Sequence, residues 1–363
     1  MERAIGDSHN FGRRVTEHGR WIAKPRPLLW EWLTLSRASP LRKILRFDFL
    51  PTVKVSGGRV ERVALSPLRS SSRRTKQELA TIVGRSLALW AWMGVADLHW
   101  ENLALGVDAR GRIVFGPLDV EMILADVSLP TETKLIPDAD PDYAEVCRHS
   151  AGVRRVLPYL GKPIGAAELL SIVSAYRATL DFLDAHAKEI AGVVGALPAL
   201  RTTPIRVLLR ATGDYVRARS EPISPPLLDA EAEQLARGDV PYFFRLYGRQ
   251  GIRYYRDARL ARHGWLSLPV DPLLSVARGL RSRSRRRLRD QGLFTVIGAF
   301  DHPSLTGRHG SDEIELELGP RAIVVKLASG EELECPRDLS AVVGSVYLPC
   351  RCGEVRAVFA GIQ

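Results

Sequence analysis

Cysteine is scarce in this chain, with Cys147, Cys335, Cys350 and Cys352 the only four among 363 residues. So few, so unevenly spread, exclude the disulfide framework of a small secreted protein and suit a reducing compartment. Uninterrupted apolar runs of about 18 residues are also lacking, so no membrane-spanning helix and no membrane partner are expected. The start, Met1-Glu2-Arg3 with acids and His close behind, has no apolar signal-peptide core, and a cytoplasmic protein is the expectation. His302 and His309 precede Cys335, Cys350 and Cys352, yet one Cys-x-Cys and a lone Cys fall short of two zinc-ligand pairs. Helix-turn-helix, zinc-finger and RNP signatures are missing too, so no specific nucleic-acid partner is expected. No internal repeat is present.

Acidic residues are the minority, 41 against 52 Lys and Arg, for a net charge of +11. That excess favours an anionic partner without choosing among nucleotide phosphates, an acidic peptide and nucleic acid. A balance of 45% hydrophobic and 26% charged residues is that of a folded globular chain, long enough for two or three packed units.

Alternation from about Phe11 to Lys24 around the His18-Gly19 turn predicts a β-hairpin. Apolar spacing of three and four predicts helices over Leu28–Leu35, Lys76–Trp92, Ala166–Val194 and Leu227–Arg237, and one over Thr202–Ser220 begun near Pro204. Gly94 can end the second of these helices. Ile113–Leu118 reads as a strand that delivers Asp119, with Glu121 further along it. Tyr and Arg dominate Tyr242–Arg262, and an Arg-rich run follows at Arg281–Arg289, read as a basic linker. Beyond it Phe294–Phe300, Ile314–Leu318, Ala322–Leu327 and Val355–Phe359 read as short strands of a small β module. The expected division is 1–75, a partial N-lobe-like region; 76–262, a mainly helical catalytic region; 263–292, the linker; and 293–363, the β module.

Against this background the stretch Ala96-Asp97-Leu98-His99-Trp100-Glu101-Asn102, with Leu118-Asp119-Val120-Glu121 after it, carries chemistry. Phosphoryl transfer needs a carboxylate to orient the attacking hydroxyl, then an Asn and a further Asp to hold the metal that neutralises phosphate charge. Asp97, Asn102 and Asp119 are candidates for those places, and Glu121 either joins the metal shell or is a solvated carboxylate. Asp97 and Asn102 keep the Asp-to-Asn spacing of the protein-kinase catalytic loop but lack its leading His-Arg pair. Lys24 is either a contact to nucleotide phosphates or a surface lysine lying along apolar neighbours. His99, and His9 with Asp7, are candidates for proton transfer, with turn hydrogen bonding as the alternative. Arg206 and Arg210, read as four apart on one helical face, either grip a phosphate together with Thr212 or pair with acids on a neighbouring helix.

In order, Gly6-Asp7-Ser8-His9-Asn10-Phe11-Gly12, Ala23-Lys24-Pro25-Arg26, the Asp97 loop, the Asp119 segment, Ile205-Arg206-Val207-Leu208-Leu209-Arg210-Ala211-Thr212 and Arg237-Gly238-Asp239-Val240-Pro241-Tyr242-Phe243 form a set. Together they resemble the dehydratase domain of the class II lanthipeptide synthetases, the LanM family, over about residues 5 to 245. The resemblance implies an α+β fold similar to lipid and protein kinases, a two-lobed core to which the small C-terminal all-β module is added. It implies ATP and Mg²⁺ as cofactors, with Lys24, Asn102 and Asp119 at the nucleotide and Asn102, Asp119 and Glu121 at the metal. The implied activity is phosphorylation of Ser and Thr in a ribosomally made precursor peptide, followed by loss of phosphate to leave dehydroamino acids. Asp97, His99, Asp7 and His9 are the implied catalytic groups, Arg206 and Thr212 carry elimination, and Arg210 is structural. The Gly238–Phe243 segment is read as structural, since Pro241 fixes the turn and the aromatics pack.

Full-length members of that family carry a helical segment before these motifs and a zinc cyclase after them, and neither is expected here. A companion subunit or a separate cyclase is therefore the expected partner, beside a precursor peptide with a Ser/Thr-rich core. Two other functions fit the same residues: a kinase-like phosphotransferase without elimination, and a catalytically degenerate protein that binds a peptide or a partner.

Overall fold

Alternating side chains about the His18-Gly19 turn produce the expected hairpin, with His18 opposite Trp21. In the computed structural model, which describes residues 3–336 apart from 70–71, 126, 128, 138–150, 162, 211, 225, 267–287 and 302–303, that hairpin is part of a five-stranded antiparallel sheet. Its strands are β1 (Arg3–His9), β2 (Arg13–His18), β3 (Trp21–Ala23), β4 (Val55–Ser56) and β5 (Arg59–Glu61), in the order β1-β2-β3-β5-β4. Between β3 and β4 lie α1 (Leu29–Leu35) and α2 (Pro40–Leu45), the latter begun by Pro40 and capped by the Ser39 hydroxyl, which accepts from Leu41 N–H at 3.2 Å.

The long α3 (Arg73–Trp92) starts where the Ser72 hydroxyl accepts from Thr75 N–H at 3.2 Å, and it buries Leu79, Val83, Leu87 and Trp90. Gly94 closes it with φ 62°, and a Cβ there would stand 2.0 Å from the Ala125 carbonyl oxygen. A hairpin, β6 (Leu103–Val107) and β7 (Ile113–Pro117), follows directly, then α4 (Leu157–Leu160), α5 (Ala166–Ala185) and α6 (Ala187–Gly195). Helices α3 and α5 pack side by side with Gly84 at the crossing, where a Cβ would fall 2.2 Å from the Ile172 carbonyl oxygen.

Next come β8 (Ile205–Val207), α7 (Thr212–Arg217), α8 (Asp229–Ala236), β9 (Phe243–Arg245), β10 (Ile252–Tyr255) and β11 (His263–Leu266). The four strands form one antiparallel sheet ordered β11-β10-β9-β8. Last are α9 (Gln291–Phe300) and the meander β12 (Gly307–Gly310), β13 (Ile314–Leu318), β14 (Ala322–Leu327) and β15 (Glu332–Pro336). The architecture is α+β, and one apolar core runs from Trp30 through Leu87, Ile172, Ile205 and Leu293 to Val325. Among the described residues no helix is long and apolar enough to cross a membrane.

Three local expectations fail. Thr202–Ser220 is not one helix: Ile205 and Val207 are β-branched and buried on either side of Arg206, so Ile205–Val207 pairs with Phe243–Arg245 as a strand, and only Thr212–Arg217 is helical. Phe294–Phe300 is helical rather than extended, because an apolar run buried nearly all round gives the same pattern in either state. Residues 263–266, read as linker, pair with β10 instead. The expected β runs at Ile314–Leu318 and Ala322–Leu327 are found, and β15 joins them. Cys147, Cys350, Cys352, His302, Arg281–Arg287 and Val355–Phe359 lie outside the described residues.

Candidate active site

Two backbone hydrogen bonds fasten the acidic motifs to each other. Leu118 N–H donates to the Asn102 carbonyl at 2.7 Å, and Ala96 N–H donates to the Met122 carbonyl at 3.0 Å. The Asp97 loop and the Asp119 segment therefore lie side by side. Asp97 has φ 63°, a left-handed conformation that Asp tolerates better than most residues. Asn102 Nδ2 donates to the Asp97 carbonyl at 3.0 Å, which leaves the amide oxygen as its ligand-capable atom. Asp97 Oδ1 faces Lys134 Nζ at 3.3 Å.

Residues 118–121 are not strand, since β7 ends at Pro117, but their chain still alternates. Val120 enters the core while Asp119 and Glu121 turn to the same side, where three cations meet them. Lys24, just past β3, sets Nζ 2.9 Å from both Asp119 Oδ1 and Glu31 Oε1. Arg26 bonds Asp119 and Glu31 through Nη2, Glu31 Oε2 through Nη1 at 3.0 Å, and Glu121 Oε2 through Nε at 3.1 Å. Arg206 Nη1 completes the row 2.5 Å from Glu121 Oε1. Lys24, Arg26 and Arg206 thus balance Glu31, Asp119 and Glu121.

Charge follows from this geometry. Burial opposes ionisation of Asp119, but Lys24 and Arg26 outweigh it and hold the carboxyl well below its usual range. Burial likewise works against the Lys24 and Arg206 charges; Asp119 and Glu31 hold Lys24 above its ordinary value, and Glu121 does the same for Arg206. Arg206 Nε is buried with no hydrogen-bond partner, a donor left over in a site full of charge.

His9 enters from β1. Its Nδ1 lies 2.7 Å from the Val240 carbonyl, the contact of an N–H donor, so Nε2 of the neutral ring carries the lone pair. Burial first, and the Arg206 charge second, push this imidazole below its ordinary value of 6.5. The Tyr242 ring packs edge-on against His9 with centroids 5.9 Å apart, and the Arg206 guanidinium lies 5.4 Å from the Tyr242 centroid. Asp239 fixes the turn behind His9: its carboxylate accepts from the Ser8 hydroxyl and Phe11 N–H, each at 2.7 Å, and from Gly12 N–H at 2.9 Å. Those bonds hold Asn10 and Phe11 at positive φ.

The residues expected to act together divide into two groups. Lys24, Asp119, Glu121, Arg206 and His9 converge, with Asp97 and Asn102 in the adjoining loop. Asp7 is exposed on β1 and acts on His9 only through its charge. His99 is half-buried, its backbone bridging to Ala151, and it makes no described contact with Arg206. Thr212 is exposed at the start of α7, and Arg210 is buried against Glu231 at 2.9 Å, so neither shares a helical face with Arg206. Arg26, Glu31 and Lys134 had no assigned role. A single acid inside the apolar helix Leu29–Leu35 was the signal for Glu31, because an unpaired carboxylate is rarely buried.

No protein-family model matches this sequence, and no curated protein matches it either. Among the described residues, no three His, Cys, Asp or Glu side chains are gathered as a metal site. Asp119, still partly exposed, and the Asn102 amide oxygen are a hard-oxygen pair that suits Mg²⁺. Glu121 suits it less, with one oxygen on Arg26 and the other on Arg206.

Proposed function

We propose that this chain is a LanM-like dehydratase with a kinase-like, two-lobed core, which phosphorylates Ser or Thr of a ribosomally made peptide with ATP and then eliminates the phosphate. The observation that carries this reading is the meeting of Lys24 and Arg206, more than a hundred residues apart in the chain, on the Asp119–Glu121 segment beside the Asp97 loop. A five-stranded antiparallel sheet ahead of a mainly helical region supports the kinase-like arrangement.

In the first step Asp97 accepts the proton of the substrate hydroxyl as its oxygen bonds the γ-phosphorus and the bond to the β-phosphate oxygen breaks, releasing ADP. Mg²⁺, when bound, neutralises the transferred phosphoryl charge, and Asp119 with Asn102 are the residues that fit it. Lys24 serves the nucleotide phosphates. In the second step His9 Nε2 takes the α-proton, that electron pair becomes the Cα–Cβ double bond, and phosphate departs with the Cβ–O pair toward Arg206. A neutral imidazole and an unpartnered guanidinium N–H are the groups such a step needs. The proposed partners are the precursor peptide and a separate cyclase or companion subunit.

A second reading, phosphotransfer without elimination, is favoured by Thr212, which stands exposed at the start of α7 while Arg206 lies on β8, so the two do not share one helical face. Incubation of the full chain with Mg·ATP and a Ser/Thr-rich precursor peptide, read by mass, separates the readings. Loss of water per modified residue supports the dehydratase, with Arg206→Ala accumulating phosphopeptide. Stable phosphate gain by the peptide, without loss of water, when the unsubstituted chain is used selects the phosphotransferase. Peptide binding without ATP binding or turnover leaves only a binding protein.

A further inference from the structure

Six cations, Arg37, Arg42, Lys43, Arg46, Arg110 and Arg112, line a cavity of about 260 Å³ with a single acid, Asp48, among its walls. They come from three places in the chain: the α1–α2 connection, the last turn and C-cap of α2, and the tip of the β6–β7 hairpin. The helix dipole accounts for Arg42 and Lys43, since a cation is favoured at a helix C-terminus. It does not account for Arg37 or Arg110. Asp108 neutralises Arg112 through bonds of 3.0 and 2.6 Å, which leaves five cations facing one carboxylate.

Arg42 Nη1 is buried with no hydrogen-bond partner, and burial together with Arg37 pushes this guanidinium down to about 10. A fork of donors held in such a place is complete only when an anion meets it. Phe47 and Thr52 finish the wall. The pocket lies at the far end of the hairpin from Asn102 and Leu118, roughly 17 Å away at about 3.4 Å per residue, so it is separate from the candidate active site.

We propose that this pocket is a second anion site that binds a small oligophosphate, two or three linked phosphoryl groups. Four net positive charges match such an ion better than a carboxylate or a monophosphate, and the volume admits it while excluding a folded partner. The oligophosphate is either the free ion or the tail of a nucleotide; both present the same charge to Arg42, Arg46 and Arg110.

Titration calorimetry on the full chain with pyrophosphate, tripolyphosphate, monophosphate, sulfate and ATP tests this. Tripolyphosphate should bind more tightly than monophosphate or sulfate. Arg42→Gln with Arg46→Gln should weaken it by about tenfold or more. Arg110→Glu, at an exposed turn position that leaves the fold intact, should do the same, while Arg206→Gln should not. ATP binding with the same sensitivity to Arg110→Glu identifies the nucleotide tail, and ATP binding that Arg110→Glu leaves unchanged, with tripolyphosphate still sensitive to it, identifies the free ion. Equal binding of all the anions, affinity unmoved by Arg110→Glu and by the Arg42/Arg46 pair, or binding abolished by an Arg206→Gln variant whose circular dichroism shows it folded would overturn the proposal.

Discussion

Arg206 is tied to Glu121 twice: its Nη1 lies 2.5 Å from Glu121 Oε1, and its backbone N–H donates to the Glu121 carbonyl at 2.8 Å. The first bond sets charge and the second sets position, so β8 is locked to the segment that follows β7. Replacing Arg206 with Gln leaves a largely buried carboxylate short of a partner, and roughly 3 kcal/mol of stability should be lost. Adding Glu121→Gln should restore part of it, and urea unfolding of the two single variants and the double variant measures this coupling.

His9 makes stability depend on pH. Its folded value is depressed, so between that value and 6.5 the unfolded chain binds more protons, and stability rises with pH across that window. Melting temperatures from acid to neutral pH should climb more steeply for the parent than for His9→Asn. Parallel curves would remove His9 from the account.

Asp239 gives an acid-side dependence through its own bonds. Burial opposes its charge, but Ser8, Gly12 and Phe11 hydrogen bonds hold its carboxyl below the ordinary 3.8. Its contribution is present above 3.8 and is lost as pH falls through the lower folded value. Asp239→Asn should cost about 2 kcal/mol near neutral pH, and the gap to the parent should narrow in strong acid. Denaturation midpoints at neutral pH and in acid test both parts.

Gly84 is required by close packing rather than by its backbone angle. Gly84→Ala places a methyl where the Ile172 carbonyl now sits, and α3 and α5 must part, at about 1–3 kcal/mol. An unchanged thermal midpoint would show that the crossing relaxes freely.

Local chemistry made several elements legible. The hairpin at His18-Gly19, helix α3 ending near Gly94, and strands Ile314–Leu318 and Ala322–Leu327 follow from periodicity and turn residues, which act over a few neighbours. The same logic misread Arg206 and Arg210 as one helical face, because a four-residue interval does not distinguish a helix from a strand followed by a bend. It also read Glu121 as a metal ligand or a solvated acid, although both of its oxygens are taken by Arg26 and Arg206.

The sequence by itself determined which acids and cations were available, and that Asp97, Asn102, Asp119 and Glu121 would come from adjoining segments. Tertiary structure alone decided their pairing. Lys24, Arg26 and Arg206 reach Asp119 and Glu121 across spans of 85 to 95 residues, and Glu31 meets Lys24 and Arg26 as the single acid of an otherwise mostly apolar helix. Burial compelled this exchange of partners, since a charge removed from water must find its opposite wherever the chain's packing brings one.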